Sequence, residues 1–591
     1  MVAGAERMAA WADLLDAINV FPVADADTGR NLVVSLSPLR RPGPDSEVNR
    51  RRLLSAARGN SGNIAAAHLA EFLVPGEPVA PKDFADAARR GRDAAWRAVG
   101  DPRPGTMLTV FDALAEVSAA VSAGKVSNAP EVAGEFDRWI DPLAAAVART
   151  PELLPELRAA GVVDAGALGV FAFWEGFLAV FLDASEPLPS LTERFAEGLR
   201  LAAGYRPRGE SGRCVQAVVR PGPDRRDEAA AMLREWGESV VVTGEDDRLR
   251  VHLHAEDGES LRTRMEEILG PVEAWSEESL AAPTESAPAA GPVHLMTDAA
   301  GSIDRETARR LGLTLLDSLV IAGDEALPET RFDPAEIYRR MRKGVRASTA
   351  QASHFERAQH YQSVLGRYDR VLYLCVGSVY TGNFAAAEAW KRARDPENRL
   401  TVVDTGTASG RLAVIVRAVA RALPGLETAE EAERFARAAV DRADELVFLD
   451  CLRYLAAGGR MSRTGAFFGD MLHMKPVITP AADGARKAGV VRNRAGQLRF
   501  AMERLASADE DGPLETILLE FSDNREWVEG VVASAIRKRF PETETAIAPL
   551  SLTSGVHMGP GTWGVAFLRA AGGDERTEST TKGYSHAGSG K

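Results

Sequence analysis

The first third of the chain is patterned as helix throughout. Residues 1–195 are rich in Ala and Leu, and apolar side chains recur with helical spacing in segments such as 53–73 (LLSAARGNSGNIAAAHLAEFL). Runs of β-branched residues, which favour strands, are scarce there. This pattern predicts an all-α domain built as a bundle of helices.

The pattern changes after residue 200, where short apolar runs replace the helical spacing. Between residues 200 and 276, strands are predicted at 214–219, 239–244 and 248–255, and a helix is predicted at 227–237. We therefore expect a small α+β domain over residues 200–276.

The remainder of the chain is predicted to hold a linker, a larger domain and a tail. Residues 277–292 are rich in Ala, Ser, Pro and Glu, which is typical of a linker. Over 293–571, apolar strands alternate with helical segments, which predicts an α/β domain. The polar tail, 572–591, is expected to be disordered. The clearest strands of the α/β domain lie at 371–376, 400–404, 516–521 and 564–568. A chain of 591 residues is long enough for this multidomain organisation.

Composition limits the classes of function. The net charge of −13 disfavours general binding of nucleic acid, which needs basic surface. No run of about 18 apolar residues and no basic-then-apolar N-terminus is present, so neither a transmembrane helix nor a signal peptide is predicted. At most transient contact with a membrane surface is expected. Three widely separated cysteines favour a reducing, cytoplasmic location.

A pair of carboxylates in the segment 19–32 (NVFPVADADTGRNL) is the clearest candidate for chemistry. Asp25 and Asp27 lie two residues apart on a predicted loop, just before a helical run. Mg²⁺ usually holds nucleotide phosphates through one or two such carboxylates, so a Mg²⁺–phosphate site is predicted. An EF-hand is excluded because its required Gly and Glu positions hold Arg30 and Leu36. A solvated turn is the alternative for the isolated pattern.

The same segment resembles the nucleotide site of the DhaL family, the ATP-binding subunit of dihydroxyacetone kinases, in its fatty acid kinase version. Asn19 lies near the position of a third Asp in the sugar kinases of that fold, so Asn19, Asp25 and Asp27 are implied as the catalytic, Mg²⁺-holding set. The sequence departs from the motif in Ala24, Ala26 and Arg30, which replace Pro, Gly and a small residue. The resemblance implies a helical barrel with the nucleotide at one end.

Three further segments resemble this family in the expected order, at 57–63 (ARGNSGN), 104–110 (PGTMLTV) and 159–170 (AAGVVDAGALGV). Small residues at a helix start let backbone N–H groups approach phosphates. Taken alone, the first of these segments is also consistent with an ordinary helix cap. The resemblance implies that ATP is bound by Thr28, Gly29, Asn31, Asn60, Ser61, Gly62, Gly105, Thr106 and Asp164.

The α+β domain carries a candidate metal site. His252 and His254 are two residues apart on a predicted strand, so their side chains share a face, and Cys214 lies on a strand that could be adjacent. One Cys and two His are a plausible Zn²⁺ set, while a polar face with a buried cysteine is the open alternative. This block resembles the middle domain of the fatty acid kinase, although Arg213 replaces the usual Tyr.

The C-terminal block, 293–571, resembles the fatty-acid-binding DegV family over nearly its whole length, from HLMTDAAGSI (294–303) to VHMGPGTWGVAF (556–567). Hydroxyl groups, an arginine and a histidine suit a carboxylate head group. The segment 466–474 (AFFGDMLHM) is a candidate for part of an acyl tunnel. The resemblance implies that the fatty acid is bound by Thr349, Ser378, Thr381, Gly382, Arg460 and His557.

Together the two resemblances imply a fatty acid kinase whose ATP-binding and lipid-binding parts share one chain, with an acyl phosphate as the product. ATP, Mg²⁺ and a fatty acid are the expected ligands, with an acyltransferase acting downstream. A homodimer is also implied, because DhaL-type kinases often dimerise. Two alternatives remain, namely a dihydroxyacetone-type kinase and a fatty-acid carrier without catalysis.

Overall fold

The computed structural model describes residues 1–74, 81–123, 132–184, 187–206, 212–221, 225–245, 248–280, 292–457 and 474–571. Arg460, nearly all of 466–474, most of the predicted linker and the predicted tail lie outside these residues. The chain divides into two compact units. The first holds the described residues of 1–286 with 325–327 and 353–367, and the second holds those of 287–324, 328–352 and 368–591.

The first unit begins with helices only, as the apolar spacing predicts. Helix α11 is apolar on nearly every face and is buried along most of its length, so it forms the centre of this helical part. The helices are α1 Val2–Ala10, α2 Ala12–Ala17, α3 Thr28–Leu36, α4 Ser46–Ala56, α5 Gly59–Phe72, α6 Pro81–Ala98, α7 Met107–Ser122, α8 Val132–Ala148, α9 Thr150–Leu153, α10 Pro155–Ala160, α11 Ala165–Phe181 and α12 Leu191–Arg194.

An antiparallel sheet with strand order β2-β3-β1-β4 follows in the same unit. Its elements are β1 Arg213–Val219, α13 Arg226–Trp236, β2 Glu238–Glu245, β3 Arg248–Ala255, α14 Gly258–Ile268 and β4 Val272–Ser279. The three predicted strands and the predicted helix are present, and α14 and β4 are additional. Strand β4 continues to Ser279, so the sheet extends past the predicted domain end at 276 and the first residues of the predicted linker are strand.

The sheet presents two different faces. Leu249, Val251 and Leu253 point to one side of β3 and form a core with helices α13 and α14. The alternate residues of β3, including His252 and His254, point to the other side. On that side, Thr243 of β2 donates a hydrogen bond of 3.3 Å to Oδ1 of Asn63 in α5, so the second face rests on the helical part.

The second unit is α/β, as predicted, and contains two main sheets. One is parallel, with strand order β11-β10-β5-β6, and the other has six strands in the order β14-β13-β12-β17-β15-β16. The buried side of α19 joins residues of both sheets in one core. Strands β7 and β9 form a further antiparallel pair. The four strands predicted most clearly correspond to β10, β11, β15 and β17.

The elements from residue 292 onward are β5 His294–Asp298, α15 Arg305–Leu311, β6 Thr314–Leu316, β7 Leu319–Ala322, β8 Glu325–Pro328, α16 Pro334–Arg342, β9 Ala347–Ala350, α17 His354–Arg367, β10 Val371–Cys375, α18 Asn383–Arg394, β11 Leu400–Asp404, α19 Ser409–Ala422, α20 Ala429–Arg442, β12 Ala443–Phe448, α21 Arg453–Ala457, β13 Lys475–Ala481, β14 Gly484–Val491, α22 Arg494–Glu510, β15 Leu514–Phe521, α23 Arg525–Trp527, α24 Ser534–Arg539, β16 Glu544–Pro549, α25 Leu552–Met558 and β17 Trp563–Arg569. Within the described residues, none of the helices is both long and apolar enough to cross a membrane.

Candidate functional site

Asp27 lies in the loop between α2 and α3, and its side chain does not cap α3. Asp27 is the N-cap residue of α3, yet its side chain makes no cap hydrogen bond. Asp16 takes that role, because its Oδ1 accepts hydrogen bonds from the backbone N–H groups of Gly29, at 2.6 Å, and Arg30, at 3.1 Å. The Asp27 carboxylate is therefore not used to cap the helix. Sequence reasoning missed Asp16, whose position on the preceding helix gives no capping signal.

Asp25 lies beside Asp27 in a partly buried setting. The pKa of Asp25 is raised to about 8, mainly by burial and then by the charge of Asp27 and a hydrogen bond with it. Asn19 donates a hydrogen bond of 2.7 Å to Oδ1 of Asp25. Among the described residues the buried Oδ1 of Asn19 has no partner. Two crowded carboxylates and a spare amide oxygen fit a hard divalent cation.

Arg30 is the cation closest in sequence to this pair. Its Nη2 lies 3.4 Å from Oδ2 of Asp27 and 3.0 Å from Oε2 of Glu278 in β4. Arg30, which stands where the family motif has a small residue, thus places a positive charge beside the Asp27 carboxylate.

A cleft of about 270 Å³ opens onto these groups. Both histidines of β3 line it, so the second face of the sheet forms one wall of the cleft. Its lining consists of Asn19, Phe21, Pro22, Val23, Asp25, Asp27, Thr28, Asn31, Asn60, Ser61, His252 and His254.

The start of α5 forms another part of the wall. Asn60 and Ser61 lie in its first turn, and Ser61 Oγ donates a hydrogen bond of 3.3 Å to the carbonyl of Thr28. Arg58, the N-cap residue, provides no side-chain cap. Gly59 has a φ of 60°, and a Cβ there would collide with the side chain of Asn31. The helix start is thus held closely against α3.

Some of the residues predicted to bind ATP have roles in packing and capping here. Added Cβ atoms would collide with Ala12 at Gly29 and with Ser35 at Gly62. Thr106 caps α7 through Leu108 N–H, and Asp164 caps α11 through Ala167 N–H at 2.7 Å. Burial raises the pKa of Asp164 to about 7. The cleft described above is lined by none of Gly29, Gly62, Gly105, Thr106 and Asp164.

The candidate metal ligands of the sheet come together. Cys214 is directly across from His254 in the β1–β3 register, and its Sγ lies 3.8 Å from Nδ1 of His252. One ligand atom from each of Cys214, His252 and His254 lies within 4.8 Å of the others. Among the described residues, Nε2 of His252 and Nδ1 of His254 are buried without a hydrogen bond. This arrangement fits a soft cation such as Zn²⁺.

Burial and the neighbouring carboxylates shift the pKa values of Cys214, His252 and His254. The pKa of the Cys214 thiol is raised to about 12, mainly by burial and then by the charges of Asp27 and Asp25. Burial lowers the pKa of His252 to about 3 and that of His254 to about 4, the latter opposed by Asp27. Asp27 therefore lies within electrostatic reach of Cys214 and His254.

The second unit contains a separate, largely apolar cavity of about 870 Å³, part of it open to solvent. Thr349, Thr381 and His557 line it, and Thr349 Oγ1 lies 3.0 Å from Nε2 of His557. The lining does not include Ser378 or Gly382, which were also predicted to bind the fatty acid. Much of the remaining wall is apolar or small and was not singled out in the sequence, including Val376, Tyr380, Ala408, Val447, Leu455, Ile478, Pro480 and Met558.

Comparison with protein families assigns a class to each part of the chain. Residues 22–179 match the model of the DAK2 domain, residues 210–269 match the model of the FakA-like middle domain of fatty acid kinase, and residues 292–570 match the model described as "Uncharacterised protein, DegV family". One polypeptide thus combines a DhaL-like domain, a fatty acid kinase-type middle domain and a DegV domain.

Two bacterial proteins illustrate the similarity of sequence. Protein YloV of Bacillus subtilis is 30% identical over 368 residues, which cover 56% of this chain and 65% of YloV. The uncharacterized protein SERP0792 of Staphylococcus epidermidis is 30% identical over 278 residues, covering 43% of this chain and 50% of that protein. This chain therefore spans less than two thirds of either relative.

Two solved structures resemble part of the chain. "Fatty Acid Binding of a DegV family Protein from Thermus thermophilus" is 23% identical with a TM-score of 0.44, covering 47% of this chain and 99% of that one. DegV of Bacillus subtilis, titled a fatty acid binding protein, is 20% identical with a TM-score of 0.43, covering 48% of this chain and all of that one.

Proposed function

We propose that this protein is a fatty acid kinase that transfers the terminal phosphoryl group of ATP to the carboxylate of a bound fatty acid. The observation that carries the proposal is the cleft in the first unit. It joins the Asp25–Asp27 pair, the start of α5 and the histidines of β3 in one place. The matches to fatty acid kinase-type and DegV domains in the same chain support the choice of acceptor.

The acidic part of the cleft is suited to a magnesium-bound nucleotide. Asp25, Asp27 and the spare oxygen of Asn19 would hold Mg²⁺. Mg²⁺ bound there supplies positive charge to the phosphate oxygens during transfer. Asn60 and Ser61, in the first turn of α5, would place the phosphates at the positive end of the helix dipole.

The cavity of the second unit is suited to the acyl substrate. Its wall is mostly apolar, as an acyl chain requires. Thr349, Thr381 and His557 provide a local group of hydrogen-bonding side chains for the carboxylate. An acyl chain that fills the apolar part would leave its head group with these residues.

The transfer needs no general base, because a fatty carboxylate is already ionised at neutral pH. A carboxylate oxygen forms a bond to the γ-phosphorus as the bond to the bridging oxygen of ADP breaks. The products are an acyl phosphate and ADP, and no proton is taken up or released. The catalytic contribution is then positioning and neutralisation of charge. Sharing one chain raises the effective concentration of donor and acceptor sites to about millimolar where the geometry allows contact.

We also propose that Cys214, His252 and His254 hold a zinc ion. Their mutual distances and the unpartnered histidine nitrogens support this assignment. Zinc in this place would add positive charge close to the phosphates. An ion held by these residues would lie beside the Asp25–Asp27 loop, since Val23 of that loop packs on Cys214.

One observation favours a second candidate, a fatty-acid carrier without kinase activity. Arg30 already pairs with Asp27, so a built-in cation competes with a metal ion for this carboxylate. A carrier would bind fatty acid in the second unit and leave ATP unchanged.

The deciding experiment uses the purified full chain with Mg-ATP and oleate, and traps the product with hydroxylamine. We expect an acyl hydroxamate whose formation requires ATP and is abolished in Asp27→Ala. Oleate binding should be intact in that variant, because Asp27 belongs to the first unit. Bound oleate without any hydroxamate in the wild-type protein would favour the carrier.

A further inference from the structure

Arg250 continues the row of side chains that forms one wall of the cleft. Residues two apart on a strand share a face, so Arg248, Arg250, His252 and His254 all lie on the side of β3 opposite its buried core. The two histidines line the cleft. Arg250 is the next side chain in that row and is half-buried.

Arg58 approaches the same place from the helical part. In the β2–β3 register, Arg250 is directly across from Thr243, whose hydroxyl donates to Asn63 in α5. Arg58 is the residue immediately before that helix begins. Of the neighbouring charges, Arg58 also has the largest effect in lowering the pKa of Arg250, after burial. Both arginines therefore lie near the start of α5.

These two arginines differ from their neighbours in having no carboxylate partner among the described residues. Arg248 pairs with Glu273 at 2.8 Å, and Arg30 pairs with Asp27 and Glu278. The Arg58 side chain donates only to the carbonyl of Ala57, at 3.3 Å, and the Arg250 side chain has no hydrogen bond or ion pair within the described residues.

Arg58 and Arg250 place two positive charges near each other without a carboxylate ion pair among the described residues. The pKa of Arg250 is lowered to about 10, mainly by burial and then by the charges of Arg58 and Arg248. Burial also lowers the pKa of Arg58, opposed only at longer range by Glu325 and Glu278. Arg250 is half-buried and Arg58 is exposed. Their like charges repel each other, and an oxyanion bound by both side chains would offset that repulsion.

The adjoining cleft independently has the character of a ligand site. Asn19 and His252 are both more than nine-tenths buried and line it, and each keeps a polar atom without a partner among the described residues. Polar atoms left unpaired in this way cost free energy until a ligand pairs with them.

We propose that Arg58 and Arg250 form an oxyanion subsite for the terminal phosphoryl group of a nucleoside triphosphate. The inference rests on the proposed function, because it names the residues that distinguish the triphosphate from the diphosphate. Guanidinium groups match phosphate oxygens in paired hydrogen bonds, which favours arginine for this role. After transfer the diphosphate no longer reaches the pair, so it is released more readily.

The test is isothermal titration of the full chain, with Mg²⁺ present, using a non-hydrolysable ATP analogue and ADP as separate ligands. Arg250→Gln and Arg58→Gln should each weaken binding of the analogue about ten-fold or more and change binding of ADP less than about three-fold. Arg250→Lys should fall between Arg250→Gln and the wild-type protein. Arg248→Gln is the matched control, because Arg248 lies on the same face of the same strand but is paired with Glu273, and it should bind both ligands as the wild-type protein does.

Equal affinities of Arg250→Gln and the wild-type protein for the analogue would overturn the subsite while leaving the nucleotide site intact. Equal losses for the analogue and ADP would also overturn it. If the wild-type protein binds neither nucleotide, the proposed function fails and inorganic tripolyphosphate becomes the probe. Binding of tripolyphosphate that is lost in Arg250→Gln but kept in Arg248→Gln would uphold the oxyanion subsite. No binding of tripolyphosphate to the wild-type protein would reject it.

Discussion

Asn19, which lines the cleft, donates a hydrogen bond of 2.7 Å from its side-chain amide to Oδ1 of Asp25, and its own buried Oδ1 has no partner among the described residues. The Asn19 side chain thereby holds the Asp25 carboxylate in place and offers an additional oxygen to a ligand. An aspartate in its place would offer the oxygen but could not donate this hydrogen bond when ionised.

Asn19→Ala should therefore weaken cation-dependent binding of nucleotide. A hydrogen bond to a charged group contributes roughly 1.5–3 kcal/mol, so a loss of about ten-fold or more in Mn²⁺ affinity in the presence of ADP is expected. Titration calorimetry measures this directly. Asn19→Asp, which retains an oxygen ligand, should bind more tightly than Asn19→Ala. An unchanged affinity in Asn19→Ala would remove Asn19 from the cation site.

The protein should be purified with about one zinc ion per chain, bound by the Cys214, His252 and His254 cluster. Elemental analysis by mass spectrometry should find that Cys214→Ser removes the metal, because a buried thiolate is the strongest anionic ligand of the set. Cys451→Ser is the matched control, since Cys451 lies in the second unit and should leave the metal content unchanged. Equal zinc in both variants would contradict the assignment.

Thr349→Val should weaken binding of a fatty acid in the second unit. The change keeps the volume of the side chain and removes the hydroxyl that lies 3.0 Å from His557 Nε2, so the head group loses a partner and the histidine loses a neighbour. We expect about a five- to ten-fold rise in the dissociation constant of a fluorescent fatty acid. Thr545→Val, the same substitution on β16 away from the cavity, should have no effect. Identical affinities of Thr349→Val and wild type would place the head group elsewhere.

The helix that carries His557 should loosen as pH rises. Glu329 is buried, and its Oε2 accepts a hydrogen bond of 3.0 Å from Thr553 N–H at the start of α25. Burial raises the pKa of Glu329 from 4.5 to about 8. A carboxyl whose pKa is raised in the folded state contributes full stability below 4.5 and loses it as pH rises through about 8, and here the loss is at most about 5 kcal/mol.

Hydrogen exchange over residues 551–558 measures this local change, after correction for the intrinsic pH dependence of exchange. Protection should fall between about pH 5 and pH 8 in the wild-type protein and stay level above that range. Glu329→Gln should show a flat profile, because glutamine keeps an acceptor for Thr553 without ionising. A wild-type profile that is as flat as that of Glu329→Gln would mean that Glu329 stays neutral over this range or does not hold the helix.

Most predicted helices and strands follow from local pattern, because helical and strand periodicity differ clearly along this chain. Strand β4 was missed for a physical reason. Its side chains are mostly exposed and include three glutamates, so it lacks the apolar alternation on which strand prediction depends. It is nevertheless the strand that supplies Glu278 to Arg30.

The candidate site was predictable in parts but not as a whole. The sequence pointed to the Asp25–Asp27 loop and to the His252–His254 strand separately. That both line one cleft depends on packing of the sheet on α5, through contacts such as Thr243 with Asn63, which no local pattern contains. The roles of Thr106 and Asp164 as helix caps also depend on where the helices begin.

Loops are usually the parts of a protein that best tolerate changes of length. The loop that carries Asp25 and Asp27 has the opposite character. Ala26 between them adopts a φ of 54°, a left-handed conformation that costs a non-glycine residue on the order of 1 kcal/mol, and the loop is fixed at one end by Asp16 and at the other by Asn19. Insertion or deletion of even one residue would separate the two carboxylates. In proteins descended from this chain, we therefore expect changes of length in other loops before any change in the length of this one.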